Sequence, residues 1–148
     1  MCVLIVEDEA LIRDILVEQL RSHGHDVCEA QTGDDAAVLI ENPPKVFTLL
    51  ITDIHMPGQR DGVEVGRLMR QHHPSVPIIY TTGRSDALAA IGVPGSRDAV
   101  VPKPYTPSQI IDVVRPLLGS AQLQGACAPG CRTRRRSQRV FARMDIIS

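Results

Sequence analysis

The chain has 148 residues, a formal net charge of −1 and 43% hydrophobic residues. These values are typical of one globular domain with a sizeable core, and the near-neutral charge does not favour nucleic-acid binding by that domain. No stretch is long and apolar enough to span a bilayer, and no signal-peptide pattern opens the chain, so we expect no membrane insertion and a cytoplasmic location.

The first 118 residues contain alternating apolar runs and helical patterns. The predicted strands are, in chain order, Cys2–Val6, Asp26–Ala30, Phe47–Asp53, Pro77–Thr81 and Ala99–Val101. The predicted helices are Ala10–Arg21, Gly33–Glu41, Val63–His72, Ser85–Ile91 and Pro107–Leu118. Helical spacing of apolar residues identifies the first helix, and Thr32 is the expected N-cap of the second. The alternation predicts an α/β fold with a doubly wound parallel sheet and helices on both faces.

The last part of the chain differs in composition. From residue 119 onward six arginines accompany a single acid, Asp145, and large apolar residues are few before the last segment. We therefore predict a domain over residues 1–118 and a disordered, Arg-rich tail over 119–148, which is not needed for the domain's activity. Binding of nucleic acid through this tail is an alternative, but such binding would be mostly non-specific and sensitive to salt.

The four cysteines at positions 2, 28, 127 and 131 lack paired CxxC spacing. This arrangement argues against a zinc site or a disulfide framework. Cys2 and Cys28 are expected to fill the core as small apolar residues.

Four of the five predicted strands end in, or lead directly into, polar residues at the edge where open parallel sheets bind ligands. These residues are Glu7 and Asp8 after the first strand, Asp53 in the third, Thr82 after the fourth and Lys103 after the fifth. Crowded carboxylates repel one another unless a cation lies among them, and a site made of oxygen ligands suits Mg²⁺. The pattern predicts a phosphoryl-transfer pocket in which Asp53 is the nucleophile, Asp8 and Asp53 hold Mg²⁺, and a hydroxyl and an ammonium bind phosphoryl oxygens.

Each of these residues also has an ordinary structural explanation. Asp53 precedes the Pro57-Gly58 turn, Thr82 is a common turn former, and a lone lysine such as Lys103 is usually a solvated charge. The prolines on both sides of Lys103 restrict its backbone, however, which favours a side chain with a fixed direction.

Four segments of the chain resemble the receiver domain of bacterial two-component response regulators. They are VLIVEDEALIR, LLITDIHMPG, PIIYTTGR and VVPKPYTPSQI, and the resemblance covers about residues 2 to 118. It implies a flavodoxin-like sheet in the strand order 2-1-3-4-5. It also implies that a histidine kinase or a phosphotransfer protein phosphorylates the chain, and that the phosphorylated, single-domain protein acts through a downstream protein partner.

The resemblance assigns roles to individual residues. Asp53 is the phosphoacceptor, and Thr82 and Lys103 are the switch hydroxyl and the phosphate-binding lysine. The expected Mg²⁺ ligands are Asp8, Asp53, the backbone carbonyl of His55 and, through water, Glu7.

Thr82 is preferred over Thr81 because the family's hydroxyl precedes a small residue, here Gly83, and lies five positions after the proline at the strand start; Thr81 remains an alternative. Two features depart from the family pattern. Val100 occupies the position that is often an aromatic switch residue, and the segment 92–95, GVPG, shortens the fourth helix.

One enzyme class also uses an aspartyl nucleophile on an α/β sheet, namely phosphohydrolases of the haloacid dehalogenase type. These enzymes have a second Asp two residues after the nucleophile, where this chain has His55, and the chain has no large cap domain. We therefore expect a phosphoacceptor and switch that is not an enzyme beyond its own dephosphorylation.

Overall fold

The core of the protein is a five-stranded, fully parallel sheet in the order β2-β1-β3-β4-β5. The computed structural model describes residues 1–92 and 95–118. The strands are β1 (Cys2–Val6), β2 (Val27–Ala30), β3 (Phe47–Asp53), β4 (Ile78–Thr82) and β5 (Ala99–Pro102). The predicted fold class and strand order are confirmed. The predicted tail over 119–148 lies outside the described residues, and its disorder stays a prediction.

Five helices connect or follow these strands within the described residues. They are α1 (Ala10–Ser22), α2 (Gly33–Glu41), α3 (Gly62–His72), α4 (Ala87–Ile91) and a helix over residues 107–118, called α5 here. None of the helices in the described ranges is long and apolar enough to cross a membrane. The order of strands and helices thus matches the predicted alternation.

The two central strands are buried on both faces, as expected for a parallel sheet covered by helices. Every residue of β1 is buried, and Leu4, Leu50 and Ile51 have at most 1% exposure. Strand β2, in contrast, is mostly half-buried, which is consistent with its edge position. Strands β1 and β3 are paired in parallel, so their carboxyl ends lie side by side. Acidic residues are found at both ends.

Side-chain caps determine where two helices begin. The Thr32 hydroxyl accepts a hydrogen bond from the Asp35 N–H at 3.1 Å, as the sequence predicts. Asp61 caps α3 in the same way by accepting from the Glu64 N–H at 2.9 Å, a cap that the sequence analysis missed. This cap starts α3 at Gly62, one residue before the predicted start.

Gly62 also packs directly behind Asp53. Its N–H donates to the Ile54 carbonyl at 3.0 Å, and a Cβ atom at position 62 would overlap the Asp53 carbonyl oxygen. The first turn of α3 is therefore held against the end of β3.

Helix α4 is two residues shorter at its start than predicted, because residues 85 and 86 form a turn. It ends at Ile91, and the Gly92 that follows has a φ of 74°, which only glycine readily adopts. After β5 the chain passes through a cis peptide bond between Lys103 and Pro104 before α5 begins.

Candidate functional site

Three carboxylates meet at the carboxyl edge of the two central strands. Glu7 and Asp8 directly follow β1, and Asp53 is the last residue of β3. One oxygen from each of the three side chains lies within 4.8 Å of the other two. Glu7 is 2% exposed and Asp53 is 6% exposed, whereas Asp8 is half-buried. The parallel pairing of β1 with β3 thus brings the predicted acidic residues together.

The Lys103 side chain enters this cluster from the end of β5. Its Nζ atom donates to Asp53 Oδ2 at 3.0 Å and to Glu7 Oε2 at 3.3 Å. The Lys103 N–H donates to the Thr82 carbonyl at 2.7 Å, which fixes the start of the loop after β5. Lys103 therefore contacts two of the predicted site residues instead of lying in solvent.

The charges in this cluster are not balanced. Burial raises the pKa of Glu7 to about 7, and the nearby Asp53 charge acts in the same direction, while Lys103 opposes both. Burial acts to lower the pKa of Lys103, but its hydrogen bond to Asp53 and the charges of Asp53 and Glu7 give a net increase. Within residues 1–92 and 95–118, three carboxylates lie around one ammonium ion, which contacts two of them, so the cluster favours a proton or a further cation.

Backbone N–H groups from the loops after β1 and β3 bind carboxylates of the cluster. The His55 N–H donates to Asp53 Oδ1 at 3.2 Å, which places the backbone of residue 55 beside the cluster. On the other side, the Glu9 N–H donates to Glu7 Oε1 at 3.3 Å. The carboxylate oxygens of the cluster are the kind of ligand that Mg²⁺ prefers.

The Thr82 hydroxyl is engaged away from the acidic cluster. It accepts from the Arg84 N–H and donates to the Arg84 carbonyl, both at 3.0 Å. It makes no hydrogen bond to Asp53 or Lys103 within the described ranges. The structure thus brings together four predicted site residues, Glu7, Asp8, Asp53 and Lys103, and leaves Thr82 bonded to the next loop.

Two buried hydroxyls lie next to the cluster: that of Thr81, which the sequence analysis kept as the alternative to Thr82, and that of Tyr105, to which it gave no role. Thr81 lies opposite Asp53 in the sheet register and is 1% exposed. Its hydroxyl is a neighbour of the Tyr105 hydroxyl, yet within residues 1–92 and 95–118 neither oxygen takes part in a well-formed hydrogen bond. Burial, followed by the charge of Glu7, raises the pKa of Tyr105 to about 12. Its position two residues after Lys103, a predicted site residue, was the only sequence signal that could have pointed to Tyr105.

Comparison with known proteins identifies the family. Residues 3–115 match the model of the response regulator receiver domain. Since this match covers most of the chain, the protein belongs to the receiver-domain family of two-component signalling.

Several relatives support this assignment. The chain is 31% identical over 117 residues to the sensor kinase CckA of Brucella abortus, and 31% identical over 119 residues to the transcriptional regulatory protein ResD of Bacillus subtilis. These alignments cover 78% and 80% of the chain but only 12% and 48% of the two relatives. A response regulator receiver protein from Sinorhizobium medicae is similar in structure, with a TM-score of 0.73 and 28% identity over 80% of this chain and 94% of that one.

Proposed function

We propose that Asp53 accepts a phosphoryl group from a phosphohistidine of a histidine kinase or phosphotransfer protein in a Mg²⁺-dependent reaction. The observation that supports this proposal most strongly is the charge imbalance around Asp53. A buried carboxylate with two acidic neighbours and one ammonium is a poor structural ion pair, but it suits a site that binds a divalent cation and a phosphoryl group.

The proposed metal ligands are Asp8, Asp53 and the backbone carbonyl of His55, with Glu7 acting through water. The clustered carboxylate oxygens support this assignment, and so does the raised pKa of Glu7, which results from burial and from the nearby charge of Asp53. Bound Mg²⁺ would supply neutralisation of the acidic cluster and of the phosphoryl oxygens.

The protein's own groups act on the reacting atoms as follows. A carboxylate oxygen of Asp53 attacks phosphorus, and the bond from phosphorus to the donor nitrogen breaks. Lys103 already contacts Asp53 at 3.0 Å, so its ammonium is placed to bind an oxygen of the transferred group. A separate step, in which water attacks phosphorus, the bond to the Asp53 oxygen breaks and inorganic phosphate leaves, is the only turnover that we propose for this chain.

We further propose that phosphorylation moves the Thr82 hydroxyl from Arg84 towards the phosphoryl group. The two hydrogen bonds to Arg84 tie Thr82 to the turn before α4, so their loss would release that turn. A charge-assisted bond to a phosphoryl oxygen would favour the released state. An unidentified downstream protein would then recognise the segment around α4 and the loop after β5.

Phosphorylation at Asp53 is tested by incubating the protein with acetyl phosphate and Mg²⁺ and measuring its intact mass. The wild type is expected to gain one phosphoryl group, and Asp53→Asn is expected to gain none. Asp14→Asn, which alters an exposed acid on α1, is the matched control and should behave like the wild type. Full labelling of Asp53→Asn would overturn the assignment, as would labelling that continues after the metal is chelated.

The switch is tested by comparing amide chemical shifts with and without phosphorylation. Shifts are expected in residues 82–92 and 102–106, and Thr82→Ala should reduce those in the first segment. Thr81→Val is the matched control at the neighbouring hydroxyl. If Thr81→Val abolishes the shifts and Thr82→Ala leaves them unchanged, then Thr81 is the switch residue.

The boundary of the domain and the cellular location stay predictions. A variant truncated after Leu118 is expected to accept phosphate at an unchanged rate and to keep its melting temperature. A melting temperature several degrees lower would show that residues beyond 118 stabilise the domain. The cytoplasm is the expected location for a partner of an ATP-dependent kinase.

A further inference from the structure

Two cysteines from neighbouring strands contact each other at the end of the sheet opposite the acidic cluster. Cys2 opens β1 and Cys28 lies in β2, and their Sγ atoms are 2.7 Å apart. This contact is closer than that of ordinarily packed thiols and approaches the roughly 2.05 Å of a disulfide bond. The spacing of 26 residues along the chain gave no hint of the contact, which arises from strand pairing.

The register explains why the two side chains meet. Cys28 is paired with Leu4 in the parallel ladder, and Cys2 precedes Leu4 by two residues on β1. Residues two apart on a strand share one face of the sheet. Cys2 and Leu4 belong to the same core cluster, against which Cys28 packs, so both sulfur atoms lie on one face. The two sulfur atoms of these diagonal neighbours therefore already approach each other on one side of the sheet.

The two sulfur atoms differ in their access to solvent. Cys2 is 1% exposed, and burial together with its neighbour Cys28 raises its pKa to about 12. Cys28 is only partly buried. Positive charge acts on this pair from the N-terminal amino group and from Lys45, whose ammonium is held by Asp26 at 3.1 Å. Cys28 is therefore the sulfur that a small oxidant would reach first, and Cys2 is positioned to react with it.

We propose that Cys2 and Cys28 form a redox-active pair that a hydroperoxide converts to an intramolecular disulfide. In the first step the Cys28 sulfur attacks a peroxide oxygen, the O–O bond breaks, and hydrogen peroxide yields Cys28 sulfenic acid and one water. In the second step the Cys2 sulfur attacks the Cys28 sulfur, the S–O bond breaks, and the hydroxyl leaves with the Cys2 proton as a second water. Two thiols are oxidised and one peroxide is reduced.

The disulfide would join β1 to β2 and close a loop that contains α1. A cross-link of this kind restricts the unfolded chain and so stabilises the folded state. Strand β1 carries Glu7 and Asp8 at its other end, but the strand is buried and paired on both sides, so the acidic cluster should keep its geometry. Oxidation is thus expected to raise the melting temperature and to leave phosphorylation unchanged.

The test uses the full chain with Cys127→Ser and Cys131→Ser, so that only the two sheet cysteines remain. The protein is treated with one equivalent of hydrogen peroxide, alkylated and analysed by intact mass and peptide mapping. The expected result is the loss of both alkylation sites and a cross-linked peptide pair containing Cys2 and Cys28. Dithiothreitol should restore both thiols and lower the melting temperature to that of the untreated protein.

Cys28→Ala in the same background is the matched control, and it should show neither a cross-link nor a change in melting temperature. The peptide map of the parent protein tests the proposal even if this variant fails to fold. Two thiols that remain alkylatable after peroxide would overturn the proposal. Oxidation of Cys28 to sulfinic acid without a cross-link would also overturn it, as would a disulfide formed only between two molecules.

Discussion

Two partly buried ionic clusters at opposite edges of the sheet show how differently one fold can use the same chemistry. Near the start of β4, the Asp98 carboxylate lies 2.6 and 2.7 Å from the Arg70 Nη2 atom. It also accepts hydrogen bonds from the Ile78 N–H at 3.0 Å and the Gly95 N–H at 2.9 Å. Each oxygen of this acid is paired, and the acid and the guanidinium cancel in charge.

At the other edge, three acids lie around the ammonium of Lys103, which contacts two of them. The excess negative charge is costly for folding, and after burial, which is the main cause, the charge of Asp53 adds to the raised pKa of Glu7. The comparison indicates that charge balance separates a cluster that holds the fold together from one that carries excess negative charge. Four predictions test this distinction.

The largest effect is expected from breaking the balanced cluster. Asp98→Ala should lower the free energy of unfolding by about 2–4 kcal/mol, because it leaves the Ile78 N–H and the Arg70 guanidinium without their partner. The upper end of the range is reduced because the Arg70 side chain is 40% exposed. Urea unfolding measures the change. Phosphorylation per folded molecule should be unaffected, and a stability equal to that of the wild type would remove the structural role of this cluster.

The unbalanced cluster should respond to pH in the metal-free protein. The folded state raises the pKa of Glu7 from 4.5 to about 7, so it binds this proton more tightly than the unfolded state does. Stability from this residue is therefore greatest below pH 4.5 and is lost as the pH rises to 7, by up to about 3 kcal/mol. The measurement is urea unfolding at several pH values in the presence of a chelator.

The matched control for this pH effect is Glu7→Gln, which cannot titrate. The stability difference between the wild type and Glu7→Gln should change across the same pH range, and saturating Mg²⁺ should reduce that change. A difference that is independent of pH would mean that Glu7 remains ionised and is compensated in some other way.

A smaller effect is expected from removing the ammonium that contacts the acidic cluster. Lys103→Met should destabilise the metal-free protein by about 1–2 kcal/mol at pH 8, because Asp53 and Glu7 lose a charge-assisted hydrogen bond each while their repulsion remains. Mg²⁺ should recover most of this loss. If the metal has no effect on the variant, the proposed cation site is not formed by these carboxylates.

The smallest effect is expected from an exposed pair that serves neither purpose. Arg84 and Asp86 lie 3.2 Å apart with side chains that are 66% and 68% exposed. Asp86→Asn should change the free energy of unfolding by less than about 0.5 kcal/mol at any salt concentration. A larger change would indicate that the turn before α4 depends on this pair.

The sequence was most informative where structure depends on local periodicity and on strand ends. The buried strands β1 and β3 follow from their apolar runs, and the meeting of Asp8 with Asp53 follows from the parallel pairing of those strands. The position of Lys103 was expected from its flanking prolines. All three inferences rest on features within a few residues of each site.

Contacts between distant segments were not accessible in this way. The Arg70–Asp98 pair spans 28 residues, and no local pattern distinguishes Asp98 from an ordinary turn residue. The hydroxyls of Thr81 and Tyr105 meet only through tertiary packing. Whether the Thr82 hydroxyl bonds Arg84 or faces the acidic cluster depends on the rotation of its side chain, which the sequence does not determine.

The close approach of Gly62 to the Asp53 carbonyl limits which sequences this site can tolerate. Even an alanine at position 62 would have to push the first turn of α3 away from the end of β3, although Gly62 contributes no side chain to the acidic cluster. A saturation library at this position, selected for signalling, should therefore return glycine alone. Neighbouring Val63 should in contrast accept other apolar residues of similar volume. Two consecutive positions would therefore differ sharply in their tolerance to mutation.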